Sequence, residues 1–123
     1  MAHTQATRYA HVKNLGAVVV IKPHGDLTGG PETDELDALI DQFNSQSVKG
    51  LVINLAAVSM MNSLALSRLI RGHMRFAKRG ARMVLCSLDR QVENIFVVTK
   101  LSLVFAVFPD EELAIAGCAG GPE

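Results

Sequence analysis

The sequence has 123 residues, 49% of them hydrophobic and 20% charged, and its 12 basic and 12 acidic residues cancel to a formal net charge of zero. One domain fills that length, the balanced charge offers no basic field for nucleic acid or an anionic membrane, and the longest apolar run falls short of the ~20 residues a membrane span needs. The two cysteines fit no metal-ligand or redox spacing. Cys86, inside an apolar run, is expected to be a small core residue, and Cys118, in a Gly-rich tail, to be open to solvent. The chain leads from Met1 into polar residues without the pattern of a signal peptide, so the expected setting is soluble and cytoplasmic.

Residues 1–8 lack apolar periodicity and are expected to form a loose tail. Tyr9 to Leu15 alternates weakly, and Ala17 to Ile21 is a β-branched apolar run. Asn14, Leu15 and Gly16 between them signal a turn, which predicts a hairpin. Pro31 followed by Glu32, Asp34 and Glu35 marks a helix start, because proline suits the first helical position and carboxylates complement the helix dipole. Leu36, Leu39, Ile40 and Phe43 then repeat at helical spacing as one apolar stripe. Leu51 to Val58 is a short apolar strand leading through Ser59, Met60 and Met61 into a second helix. There Leu66, Leu69, Ile70, His73, Phe76 and Ala77 share one side, Arg68, Arg71, Arg75 and Arg79 share the other, and Gly80 closes the helix. Met83 to Leu88 predicts another strand, and Asp89 an N-cap for a helix containing Val92, Ile95 and Phe96. Val104 to Phe108 predicts a last strand, and Pro109 with Asp110 the start of a terminal helix through Ile115. Strands alternating with amphipathic helices after an opening hairpin predict one α/β domain over residues 9–116, with a mixed, mostly parallel sheet of about five strands. Residues 117–123 are expected to form a second loose tail.

No catalytic constellation emerges along the chain. His3, His11, His24 and His73 are scattered, with no neighbouring cysteine to complete a zinc set. His73 reads as a half-buried, hydrogen-bonded packing residue. Ser63 lacks a glycine-flanked elbow. Gly25, Gly29 and Gly30 miss the spacing of a dinucleotide or phosphate loop and read as a strand-to-helix loop that needs positive φ. Neither an enzyme, a cofactor nor a metal is therefore expected.

The junction after Val58 is the strongest feature. A helix N-terminus carries unpaired N–H groups, which Asn62 or Ser63 is suited to cap. Leu64 is out of register with the apolar side and falls with Arg68, Arg71 and Arg75 on the outer one. Beside Met60 and Met61 it predicts an adaptable contact patch. The arginine side reads either as a solvated face or as a surface that steers an acidic partner.

The hairpin, the segment Gly25, Asp26 and Leu27, the strand from Leu51 to Leu55 and the run from Val58 to Ser63 together resemble the STAS family. Met83 to Ser87 and Leu101 to Phe105 add to the likeness, which spans about residues 9–116. Anti-sigma factor antagonists of that family carry an Asp-Ser-Ser/Thr-Gly-Leu-Gly motif at the corresponding helix start, where this chain has Asn62, Ser63, Leu64, Ala65, Leu66 and Ser67.

The resemblance implies a non-catalytic regulatory module that switches protein partners. In such antagonists the dephosphorylated form binds an anti-sigma kinase, which phosphorylates the Ser or Thr before the glycine. Here that position is Leu64, which has no hydroxyl. The surface so implied comprises Asp26, Thr28, Met61, Asn62, Ser63, Leu64, Ser67, Arg68 and Arg71. The expected partner is an anti-sigma factor, a serine kinase-like protein or another signalling subunit. Three outcomes are open: a permanently competent binding surface built on Leu64; phosphorylation moved to Ser63, Ser67 or Thr28; or a different STAS role, as adaptor or scaffold in a stress-signalling complex or a transporter ATPase complex.

Overall fold

The computed structural model describes residues 3–119. Among these the elements are β1 (His3–Ala6), β2 (Ala10–Asn14), β3 (Val18–Pro23), α1 (Pro31–Ser45), β4 (Gly50–Asn54), α2 (Ser63–Lys78), β5 (Arg82–Cys86), α3 (Arg90–Val98), a 3-10 helix (Leu101–Leu103), β6 (Val107–Phe108) and α4 (Glu111–Ala119). The strands lie in one sheet in chain order, β1 to β6. The first two pairings are antiparallel and the remaining three parallel.

Alternation along the strands divides the core in two. Val19, Ile21, Leu51, Ile53, Met83 and Leu85 point to one face, where they pack with Leu36, Leu39, Ile40 and Phe43 of α1, Leu66, Leu69 and Phe76 of α2, and Val92 and Phe96 of α3. Val18, Val20, Val52, Val84 and Cys86 point to the other, against Ala114 and Cys118 of α4. Right-handed crossovers between parallel neighbours place α1, α2 and α3 together, which leaves the opposite face to α4.

The predicted α/β class holds, with six strands where about five were expected. The additional strand is β1, inside the segment expected to be a tail; it pairs from His3 with Asn14 to Ala6 with His11. All four of its residues are exposed, so no burial pattern in the sequence could signal it. Two other strands are shorter than expected. β4 stops at Asn54, where its side-chain Oδ1 accepts the Ala56 N–H at 2.9 Å and turns the chain. β6 begins only at Val107, because Phe105 is drawn inward against Phe96 at a centroid distance of 5.7 Å.

The expectation for Cys118 is corrected: it is 4% exposed. A Gly-rich segment signals fraying by composition, but here Gly117 lies in α4, where a Cβ would overlap the Phe108 ring. Missing side-chain bulk lets α4 approach the sheet. Burial pushes the Cys118 thiol up to about 11. At the other end of α4, Glu111 joins Lys13 of β2 and the buried Asn54 of β4. Burial alone would raise its carboxyl, but the hydrogen bonds from Lys13 and Asn54 and the charges of Lys13 and Lys22 outweigh that and hold it below the usual value. Residues 1–2 and 120–123 of the two expected tails lie outside the described residues.

Candidate protein-binding site

The strand-to-helix junction is built by two loops that the sheet brings side by side. After β3 the chain passes through Gly25 and Gly29, with φ of +82° and +93°, both in the left-handed region that favours glycine. After β4 it passes through Ser59 to Asn62. Leu27 and Met61 form a parallel bridge between these segments. The Leu27 N–H donates to Met60 O at 3.0 Å and the Asn62 N–H to Leu27 O at 3.1 Å. Outside them the Ser59 hydroxyl donates to Asp26 Oδ1 at 3.0 Å, and Asn62 Nδ2 donates to Thr28 O at 2.8 Å.

Asn62 also caps α2, its Oδ1 accepting the Ala65 N–H at 3.1 Å, as the sequence predicts for Asn62 or Ser63. One side chain therefore closes the helix end and ties the neighbouring loop to it. Leu64 lies over that loop: a Cβ on Gly29 would come within 3.1 Å of Leu64 Cδ2. The Gly29 N–H in turn donates to Thr33 Oγ1 at 2.9 Å, which leads the chain into α1.

Asp26, Thr28, Asn62, Ser63, Leu64 and Ser67 are thus exposed on one side of the molecule. Ser67 donates its hydroxyl to Leu64 O at 2.7 Å, one turn along α2. The methionine pair divides: Met60 is 52% exposed and Met61 only 5%. Met61 is therefore a core residue under the site, because its bridge to Leu27 turns it inward, and Met60 takes the surface position. Ser59 and Gly29 lie at this junction although the sequence did not single them out, whereas Met60 was already part of the expected contact patch. Consecutive methionines carry no periodicity that says which one is buried, and the contact between Gly29 and Leu64 joins residues far apart in the chain.

The arginine side of α2 is neither simply solvated nor free. Arg68 and Arg71 reach Asp37 at 3.8 Å, Arg71 reaches Asp41 at 3.3 Å, and Arg75 also pairs with Asp41. Arg79 donates to Asn44 Oδ1 at 2.8 Å and to Val48 O at 3.1 Å. The side opposite the sheet-facing stripe meets α1, whose acidic row complements it. Arg68 and Arg71 keep side-chain exposures of 34% and 41%. His73 is half-buried beside Phe105, with a centroid distance of 5.2 Å. Its Nδ1 has no hydrogen-bond partner, unlike the bonded packing residue expected. Among the described residues no three His, Cys, Asp or Glu side chains gather as a metal group, and no helix is long and apolar enough to cross a membrane.

The STAS domain model matches residues 9–114. No curated protein sequence matches the chain. Among solved structures, a candidate anti-sigma factor antagonist from Thermotoga maritima aligns with a TM-score of 0.78 and 16% identity, over 97% of this chain and 95% of that one. An anti-sigma factor antagonist from Mycobacterium paratuberculosis aligns with 0.74 and 18%, over 97% and 93%. The antagonist SpoIIAA in its unphosphorylated form gives 0.67 and 15%, over 99% and 100%. At such identities the likeness is one of fold. The family model covers most of the chain, from just before β2 to the middle of α4, and on that ground the chain belongs to the STAS domain family.

Proposed function

We propose that the chain is a non-catalytic regulatory module that binds a protein partner through the joined loops, in the manner of an anti-sigma factor antagonist. The supporting observation is the pair of apolar side chains at the junction, Met60 at 52% and Leu64 at 40% exposure. They stand on backbone already held by the Leu27, Asn62 and Ser59 hydrogen bonds. A surface so ordered loses little conformational freedom on docking. Burying the remaining exposed part of Leu64 in an interface contributes on the order of 1 kcal/mol, less than one order of magnitude in affinity. Asp26, Thr28, Asn62, Ser63 and Ser67 form the polar surround. Arg68 and Arg71 extend it along α2 with charge already shared with α1. The partner proposed is an anti-sigma factor, a serine kinase-like protein or another signalling subunit.

Leu64 leaves no hydroxyl at the position where such antagonists carry a phosphoacceptor, so phosphorylation at that position itself cannot switch the surface off. SpoIIAA of Bacillus has been solved in its phosphorylated form as well, so hydroxyls around this junction are the natural place to look for control. Ser63, Ser67 and Thr28 are the three proposed. A phosphate on any of them adds about −1.5 to −2 charge beside Leu64 and opposes an apolar contact.

The test is affinity purification from the native cell with the wild-type chain and with Leu64→Asp, followed by phosphopeptide mapping. Leu64 is half-exposed, so the variant keeps its fold, which circular dichroism verifies. Loss of one specific partner is expected. An unchanged partner set removes Leu64 from the interface, and unmodified Ser63, Ser67 and Thr28 remove the phosphorylation proposal.

A further inference from the structure

A second group of side chains converges away from the joined loops. His11 on β2 and His24 just beyond β3 place Nδ1 and Nε2 only 2.6 Å apart, with ring centroids 4.5 Å apart and planes inclined at 53°. The backbone under both is fixed. His11 lies opposite Lys22 in the antiparallel ladder, and the His24 N–H donates to Tyr9 O at 2.8 Å. At this separation one imidazole donates a proton and the other accepts it. Two imidazole nitrogens within hydrogen-bond distance, carried on backbone that is itself tied by the Val18–Pro23 ladder and the His24 to Tyr9 bond, are a donor pair of the kind borderline divalent metals take.

We propose that His11 and His24 form a two-histidine site for a divalent transition metal ion of the zinc type. Zn–N bonds of about 2.0–2.1 Å in tetrahedral geometry set the two nitrogens about 3.3 Å apart, so the rings separate by about 0.7 Å. His11 is exposed and is free to make that adjustment. Binding needs no ionisation, because the proton on the bridging nitrogen moves to the other nitrogen of the same ring. Water completes the coordination, since among the described residues no third His, Cys, Asp or Glu joins the pair. Lys22, beside His11 in the ladder, opposes the added charge and keeps the site open to exchange. The ion would tie β2 to the residue that precedes Gly25. The site is nevertheless independent of the partner-binding reading, because its test needs only the isolated chain.

That test is titration of the purified chain with zinc chloride alone, followed by calorimetry and by NMR of the imidazole nitrogens. Binding of one ion per chain is expected, with shifts confined to His11 and His24. His11→Asn and His24→Asn should each weaken binding by roughly a hundredfold, the effective-concentration advantage of a second tethered ligand. His3→Asn should leave it unchanged. Absence of saturable binding, binding that survives both substitutions, or binding lost with His3→Asn overturns the site.

Discussion

Gly72 occupies the middle of α2, where an alanine would favour the helix by about 1 kcal/mol. A Cβ there would stand 2.8 Å from Ile40 Cγ2 and 3.0 Å from Met83 Sδ. Ile40 and Met83 are both buried, so neither yields easily, and overpacking of this kind costs ~1–3 kcal/mol. Gly72→Ala should therefore lower stability by about 1 kcal/mol net in urea unfolding; a rise in the midpoint would contradict so close an approach of α2 to α1 and β5. The sequence offers no sign of this, because both neighbours come from other elements. Asn62 is the opposite case. Its capping role was legible from position and residue type, since a short polar side chain before a helical period has few other uses. Its bond to Thr28 was not, because that partner lies on a different loop.

At the scale of elements, α1 and α2 are laced by opposite charges. Asp37 and Asp41 stand four residues apart on α1, facing Arg68, Arg71 and Arg75 on α2. Partly exposed pairs of this kind are worth little singly, but Asp41→Arg would set a cation against two arginines at once. A loss on the order of 1 kcal/mol is expected, shrinking as salt is added. Combining it with Arg75→Asp should recover part of the loss. If the double variant is no more stable than Asp41→Arg alone, the pairing is not what the structure describes. The arginine spacing was plain in the sequence, whereas what it faced depended on which helix lay alongside. Most helix limits were read closely, from Pro31 at one start and Gly80 at one end; α4 is the exception, running to Ala119 where an end at Ile115 was expected. Strand limits were not. A helix carries its stop and start signals within a few residues, while a strand lasts only as long as its neighbour does.

Across the whole molecule, α4 closes the second face of the sheet, and both cysteines, Cys86 from β5 and Cys118 from α4 itself, lie between the two. Each thiol is raised by burial, Cys118 to about 11. Because the thiolate is the reactive form, burial and the raised value act together to suppress modification. A disulfide reagent at neutral pH should leave both thiols intact on the timescale in which it modifies a free thiol. Urea should release the two in one phase, since α4 must lift from the sheet to expose either. Reaction of Cys118 at the free-thiol rate in the native protein would mean that α4 is not docked as described. The prior expectation of an open Cys118 came from the surrounding glycines, which mark fraying when unpartnered and close packing when a sheet is beneath them.

The sequence by itself determined the order of helices and hairpin, the N-cap Asp89 and a cap at Asn62 or Ser63, the apolar stripes, and the likeness to the STAS family. All of these reside in residues a few positions apart, where helical and strand periods act. Only the tertiary structure decided that His3–Ala6 adds a strand, that Cys118 is core, that Met60 and not Met61 faces outward, and that the arginines of α2 are answered by α1. Each depends on a partner distant in the chain, and no local period records which distant surface will be there to meet it.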